Sequence, residues 1–186
     1  MRRARRTISL TIAVLCVATA QVAAQENPAG LVGDMLADVE DVETKLVGLA
    51  EAIPADKYDW RPAEGVRSTS EVFRHIAADN YLIPAMTGVA APENTGVTAE
   101  YATAQAFEQR EMDRDATIEE LKRSLTHLKD AISSTSEADL AREIDMFGQK
   151  ATVRRMWVLA TGHLHEHLGQ MIAYARSSGI VPPWSR

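Results

Sequence analysis

The segment "ATGHLHEHLGQMIAYAR", Ala160–Arg176, carries three histidines at alternate positions in an apolar run. Alternation is typical of a strand, but the surrounding apolar residues recur with helical spacing. On a helix each residue turns by about 100°, so His167 lies about 40° from His163 and His165 about 160° from it. The inner apolar stripe of this helix comprises Val153, Met156, Ala160, Leu164, Met171 and Tyr174. We therefore expect His163, His167 and Gln170 to face the core and His165 to face solvent.

Two inward histidines at positions i and i+4 can ligate one metal ion, and buried imidazoles without partners are costly. A second helix, read from "SEVFRHIAADNYLIP", places His75 on its own apolar stripe, so His75 is the expected third ligand. His127 lies among charged residues in "RSLTHLKD" and is expected to be exposed. Three neutral imidazoles with a position open for water are typical of catalytic zinc sites, although nickel or iron(II) also accepts such ligands.

Two carboxylates, Glu166 and Asp79, are candidates for catalytic residues. The metalloprotease pattern H-E-x-x-H is excluded, because Gly169 stands where its second histidine belongs. Glu166 lies about 60° from the first inward histidine, at the edge of the inner face, and the alternative for it is a solvated carboxylate. Asp79, one turn after the histidine of the second helix, could orient that imidazole or bind the metal, or be an ordinary surface acid. Gln170 could hydrogen-bond a ligand or the substrate.

The apolar period is helical almost throughout the chain and predicts an all-α protein. The four main helices are predicted at 31–53, 69–86, 117–133 and 153–177, with a short helix at 99–109. The segment "REIDMFGQKAT" predicts a small hairpin or extended turn around Gly148. The expected helix caps are Ser68 or Ser70, Thr117 in a capping box, and Thr152. Four such helices predict a four-helix bundle, and the long link between the second and third indicates a crossover connection.

The first residues have the pattern of a signal peptide. "MRRARR" is a basic start, "ISLTIAVLCVATA" is an apolar stretch, and cleavage is expected after Ala24. An uncleaved anchor is the alternative, although the apolar stretch is short for a transmembrane span. Arg5 and Arg6 leave the twin-arginine and general export routes both open. We therefore expect residues 1–24 to be removed and residues 25–186 to form one exported domain, in the periplasm or outside the cell.

The charge of the exported domain limits its partners. Four of the 20 basic residues and none of the 26 acidic ones lie in residues 1–24, so the domain carries 16 basic residues and a formal charge of −10. This charge argues against nucleic acid and anionic lipid as partners, and no stable membrane insertion is expected after cleavage. Cys16 is the only cysteine, so the exported domain has no thiol nucleophile.

Four further segments are informative together: "YDWRPAEGVRSTSEVFRHIAADNY", "FGQKATVRR", "GHLHEHLGQMIAYAR" and "GIVPPWS". In these segments the chain resembles the DinB-like (DinB/YfiT-like) metalloenzyme superfamily. The resemblance implies a four-helix bundle in up-down-down-up order and a divalent metal on His75, His163 and His167. Asn80 matches the "ANY"-type string of the family, where Asp79 replaces a small residue, and Asn80 is expected beside Gln170 in support of the ligands.

The resemblance also limits the function. Its relatives include thiol-dependent S-transferases, thiol-dependent isomerases and some hydrolases, and many form homodimers. Small thiols belong mainly to the reducing cytoplasm, whereas metal-activated water is usable anywhere. The leading hypothesis is therefore an exported hydrolase or transferase that uses a protein-bound divalent metal to act on a small molecule. Zinc is the first candidate for this metal. The alternatives are a non-catalytic metal- or ligand-binding module, which could act in stress response, and a thiol-dependent S-transferase.

Overall fold

The computed structural model describes residues 30–185, so the predicted signal peptide lies outside the described residues. The chain forms α1 (Leu31–Ala52), α2 (Thr69–Thr87), α3 (Tyr101–Glu108), α4 (Arg114–Ser133), β1 (Glu143–Met146), β2 (Gln149–Thr152) and α5 (Val153–Ser177). α1, α2, α4 and α5 are the main helices of an all-α bundle, which confirms the predicted fold class. α3 lies in the long connection between α2 and α4.

Side-chain caps fix the starts of the two helices that carry the histidines. The Ser68 hydroxyl accepts a hydrogen bond from the Glu71 amide, and the Glu71 carboxylate accepts one from the Ser68 amide, which completes a capping box for α2. This backbone hydrogen bond is the main cause of the lowered pKa of Glu71. Thr152 caps α5 through the Arg155 amide, as predicted.

The start of α4 differs from the prediction. The helix begins at Arg114, and the Asp113 carboxylate caps it by accepting a hydrogen bond from the Ala116 amide at 2.8 Å. Thr117 lies inside the first turn, where its hydroxyl donates to the Asp113 carbonyl at 2.7 Å. The prediction of a capping box at Thr117 was therefore wrong, because a stronger capping carboxylate stands one turn earlier.

Contacts near the helix ends establish the direction of each helix. α1 and α2 each pack against both α4 and α5. Arg114, at the start of α4, donates to the carbonyl of Ile53 at the end of α1, so these helices are antiparallel. Tyr174, late in α5, donates to the loop carbonyl just before α2, so α5 and α2 are antiparallel. Pro183, just after α5, lies against Gly48 near the end of α1, so α1 and α5 are parallel. The order is up-down-down-up with a crossover, as expected.

The core is mostly aliphatic, and its largest fully buried side chain is Trp157 of α5. Trp157 is completely buried, and its indole N–H donates to Thr135. Leu31, the first residue of α1, lies at the edge of the core with 36% of its surface exposed. Fully buried side chains from the four main helices include Val39, Val42, Leu46, Leu49, Val72, Phe73, Ile76, Leu121, Leu125, Leu128 and Met156. None of the helices described between residues 30 and 185 is long and apolar enough to cross a membrane.

The predicted hairpin is present between α4 and α5. β1 pairs antiparallel with β2, in a register that places Met146 opposite Gln149. The two turn residues, Phe147 and Gly148, both have positive φ, 54° and 83°, as a type I′ turn requires. The Gly148 amide also donates to the Asp145 carboxylate at 2.9 Å. This hairpin leads directly into the cap of α5.

Candidate metal centre

Three imidazoles from α2 and α5 converge on one point. The Nε2 atom of His163 lies 3.1 Å from Nε2 of His75 and 3.0 Å from Nε2 of His167. His75 and His167 are buried, and His163 is half-buried. Together the three residues form a group that could hold a metal ion. The structure thus brings together the three histidines that the sequence selects as ligands.

A carboxylate from α3, in the crossover connection, determines which nitrogen of His75 carries a proton. Nδ1 of His75 lies 2.7 Å from Oε1 of Glu108, whose other oxygen accepts a hydrogen bond from Arg67 at 3.1 Å. Burial would raise the pKa of Glu108, but the hydrogen bond from His75 and the positive charges beside it outweigh burial and lower the pKa. An ionised carboxylate only accepts hydrogen bonds, so Nδ1 of His75 carries the proton. In the neutral imidazole, Nε2 is then the nitrogen that presents a lone pair to the other histidines.

The protonation of His167 follows from a relay that ends on a backbone carbonyl. The carbonyl of Arg67 can only accept, so the Tyr174 hydroxyl donates to it, at 3.1 Å. The hydroxyl oxygen then accepts from the Gln170 amide at 3.1 Å, which turns the amide oxygen of Gln170 toward His167. Nδ1 of His167 donates to that oxygen at 2.7 Å. Nε2 of His167 is therefore also unprotonated.

Burial reinforces the neutral state of this imidazole. Burial first, and the neighbouring His163 second, lower the pKa of His167 to about 4. At neutral pH the side chain is therefore uncharged, which is the state in which imidazole binds metals.

Asp79 adds a carboxylate to the convergence point. Its Oδ2 lies 3.1 Å from Nε2 of His163 and 3.8 Å from Nε2 of His75. Its Oδ1 is buried and has no hydrogen-bond partner within residues 30–185. One proton on Nε2 of His163 could satisfy only one of its three neighbours, His75, His167 or Asp79, whereas a cation would satisfy all of them.

The spacing of these atoms suits a small divalent cation. Zinc–nitrogen distances near 2.05 Å imply a separation of about 3.3 Å between nitrogens in a tetrahedral site. The observed Nε2 separations of 3.0 and 3.1 Å are close to that value. Neutral imidazole nitrogens with one carboxylate also suit zinc, nickel or iron(II) better than calcium or magnesium. The donor set therefore fits the metal that the sequence predicts.

The other predicted site residues lie apart from this point. His165 faces solvent, as the helix geometry predicts, with its Nε2 2.9 Å from the Asp38 carboxylate on α1. Glu166 is exposed and forms no hydrogen bond or ion pair with any residue between 30 and 185. Asn80 is buried against α4, where its amide donates to Ser124 at 3.1 Å. Asn80 therefore supports the α2–α4 contact rather than the histidines.

The expected exposure of His127 was wrong. The side chain is half-buried against the Tyr81 ring, with ring centroids 5.4 Å apart, and its Nε2 is buried without a partner in the described part of the chain. Burial lowers the pKa of His127. Arg123 and Asp130 share the face of α4 that carries His127, but the Tyr81 ring of α2 covers part of the imidazole.

Sequence reasoning missed Glu108 and the role of Tyr174. Glu108 is 33 residues from His75 and lies on a helix predicted only as part of a connection. Tyr174 was placed on the inner stripe of α5, but its hydroxyl could not be connected to Arg67 because 107 residues separate them. No spacing rule relates such distant positions.

Three clustered histidines, two of them buried, inside an up-down-down-up bundle define a class of helical proteins with a candidate metal site. The family model of the DinB superfamily matches residues 38–171, and the chain belongs to this superfamily. The curated protein YjoA of Bacillus subtilis (strain 168) is 30% identical over 135 residues, which cover 70% of this chain and 80% of YjoA.

Solved structures show the same fold. The crystal structure of Bacillus subtilis YjoA has a TM-score of 0.60 at 27% identity and covers 78% of this chain and 92% of its own. A DinB-like protein from Bacillus cereus has a TM-score of 0.67 at 19% identity, covering 82% and 95%. A mutant of the mycothiol-dependent maleylpyruvate isomerase has a TM-score of 0.59 at 14% identity, covering 75% of this chain and 60% of its own.

Proposed function

We propose that this protein is a metal-dependent enzyme that hydrolyses a small molecule or transfers a group to it. His75, His163 and His167 would hold a divalent cation, with zinc as the first candidate and nickel or iron(II) as the others. The observation that carries the proposal is the convergence of the three Nε2 atoms, two of which are fixed as lone pairs by hydrogen bonds at Nδ1.

A bound divalent cation would polarise a substrate oxygen and lower the pKa of a water molecule beside it. The chain would supply the orientation of the ligands and a proton acceptor. Glu108 and Gln170 hold two imidazoles in position from behind. Asp79 is our candidate base, because it lies at the convergence point and its buried Oδ1 has no donor among residues 30–185. Glu166 is exposed and is not retained in that role.

A thiol-dependent transferase is the second candidate. The fold is similar to that of the mycothiol-dependent maleylpyruvate isomerase, which favours this candidate, but at 14% identity the likeness extends to the fold alone. We place hydrolysis first because residues 1–24 have the pattern of an export signal and small thiols are concentrated in the cytoplasm. Export to the periplasm or cell exterior is part of this proposal.

The proposal can be tested by elemental analysis of untagged protein, followed by turnover assays of the metal-loaded protein. The assays would present ester, amide and electrophile–thiol panels to the wild type and to His75→Ala. The proposal is supported if the wild type contains stoichiometric metal and turns over a substrate, and if His75→Ala abolishes the turnover. Hydrolysis without added thiol would favour the first candidate, and dependence on the thiol would favour the second.

Two results would contradict the proposal. Stoichiometric metal without turnover of any panel would indicate a non-catalytic metal-binding module instead. Protein that carries no metal and takes up none from zinc, nickel or iron(II) solutions would contradict the metal centre itself. Export can be tested by fusing residues 1–24 to a reporter protein and measuring whether the exported reporter has lost them.

A further inference from the structure

A second polar site lies beside the histidine cluster. A cavity of about 340 Å³ opens between the start of α2 and the end of α3, and three arginines line it: Arg61, Arg67 and Arg74. Glu71 and Glu108 also line it. Three guanidinium groups around one cavity are unexpected in a domain with 16 basic and 26 acidic residues. The cavity shares Glu108 with the histidine cluster, because that carboxylate also accepts from His75.

The charges around the cavity do not cancel. Arg61 is paired with Glu71 at 3.3 Å, and Glu108 accepts from both Arg67 and His75. Among residues 30–185, the acceptors of Arg74 are neutral: its Nε donates to the backbone carbonyl of Glu108 at 3.0 Å and its Nη1 to the Ser70 hydroxyl at 3.3 Å. The half-buried guanidinium of Arg74 therefore leaves one positive charge in the cavity without a carboxylate partner.

Hydrogen-bond donors remain available there as well. Nη2 of Arg74 has no acceptor in residues 30–185, and neither has Nη1 of Arg67. Guanidinium groups bind planar and tetrahedral oxyanions through pairs of such donors. The volume of about 340 Å³ would accommodate a small organic anion.

We propose that this cavity binds the oxyanion group, a carboxylate or a phosphate, of a small ligand, with Arg67 and Arg74 as the binding residues. The proposal deepens the proposed function, on which it rests in one respect: the ligand would be the substrate of the metal centre or a second reactant beside it. The binding itself requires no metal.

Glu108 couples the two sites. An oxyanion bound at Nη1 of Arg67 shares the positive charge of that guanidinium with the Glu108 carboxylate, which leaves more of the negative charge of Glu108 on the Nδ1–H group of His75. A more basic Nε2 on His75 would bind a cation more tightly. Oxyanion and metal should therefore strengthen the binding of each other by the same factor.

The first experiment is calorimetric titration of the metal-free protein with inorganic phosphate and, separately, with acetate. We expect saturable binding of at least one of them, which Arg74→Gln and Arg67→Gln each weaken by about tenfold or more. Arg154→Gln is the control, because it removes the same charge from an exposed arginine at the start of α5. Circular dichroism of all variants would show that the fold is retained.

The outcome separates the two proposals. No saturable binding, or equal weakening by Arg154→Gln, would overturn the oxyanion site. Repeating the titration with zinc-loaded protein should show tighter phosphate or acetate binding in the wild type and no such gain in Arg67→Gln. If the protein takes up no metal, the proposed function fails, while the metal-free titration still decides the oxyanion site.

Discussion

Glu108 accepts a hydrogen bond from Nδ1 of His75 at 2.7 Å, across the contact between α3 and α2. A residue of the short crossover helix thus determines which nitrogen of His75 is free. Arg67 holds the other oxygen of the same carboxylate. The connection between the second and third main helices is therefore part of the candidate site.

Replacing Glu108 by glutamine should weaken metal binding. The neutral amide is a poorer acceptor than the carboxylate and can present its NH₂ group to Nδ1, so it no longer fixes the proton there. We expect a loss of about tenfold to a hundredfold in zinc affinity, measured by competition with a chromogenic chelator. Glu111→Gln is the control, because Glu111 is exposed nearby. Equal affinities of wild type and Glu108→Gln would contradict this role.

Tyr174→Phe should have a smaller effect of the same kind. The variant removes the hydroxyl that links Gln170 to the Arg67 carbonyl, so the Gln170 amide can turn over and no longer fixes the proton on His167. Zinc affinity should fall by a factor of about ten at most. Tyr101→Phe removes an exposed hydroxyl and should leave the affinity unchanged. An unaltered affinity in Tyr174→Phe would mean that the relay does not control the ligand.

The three histidines of α5 should differ in their effect on metal content. His163→Ala and His167→Ala should each abolish stoichiometric metal, whereas His165→Ala should retain it. His165 is exposed, and its one hydrogen-bond partner among residues 30–185 is Asp38, in a surface pair worth about 1 kcal/mol or less. Elemental analysis after dialysis gives the measurement. Loss of metal from His165→Ala in a folded protein would refute the assignment of ligands.

Asp79→Asn should separate catalysis from metal binding. If Asp79 is the proton acceptor, the variant should keep its metal while turnover falls by about a hundredfold or more. Glu166→Gln, which removes an exposed carboxylate close to the ligands in sequence, should retain full turnover. Metal content and turnover are measured on the same samples. If Asp79→Asn loses its metal, Asp79 acts as a ligand and the base must be sought elsewhere.

The stability of the metal-free protein should fall as the pH drops from about 6.5 to about 4. Burial holds the pKa of His167 at about 4, whereas a histidine in an unfolded chain titrates near 6.5. Between these values the unfolded chain takes up a proton that the folded protein does not, so acid favours unfolding. The full difference is worth at most about 3 kcal/mol.

Urea denaturation at several pH values would measure this dependence. The free energy of unfolding of His167→Asn should vary less over this range than that of the wild type, whatever its absolute value. Parallel profiles for the two proteins would show that another group carries the effect. Addition of zinc should raise the free energy of unfolding of the wild type, because the metal binds the folded protein. This gain should shrink as the pH falls, since protons compete with the metal for the imidazoles.

The sequence predicted what depends on local periodicity. The 3.6-residue period located the main helices, and the angle between residues separated His163 and His167 from His165. Positive φ at Phe147 and Gly148 agrees with the hairpin predicted around Gly148. These features depend on residues within a few positions of each other.

Features that depend on contacts between distant segments were missed or misassigned. His127 was expected to be exposed because its sequence neighbours are charged, but the Tyr81 ring on α2 covers it. Asn80 was expected near the ligands, although it lies about 140° around α2 from His75 and meets Ser124 instead. Glu108 had no signal of its own, since a carboxylate on a short polar helix is ordinary.

The convergence of α2 and α5 also has a consequence for folding. His75 and His163 are 88 residues apart in the chain, so one ion held between them would act as a cross-link that closes a loop of that length. Such a link can form only after the two helices have docked, and it stabilises the docked state by mass action. Chelation would then lower the resistance of the whole bundle to heat and proteases, and the supply of metal in the surrounding compartment would help set the lifetime of the protein.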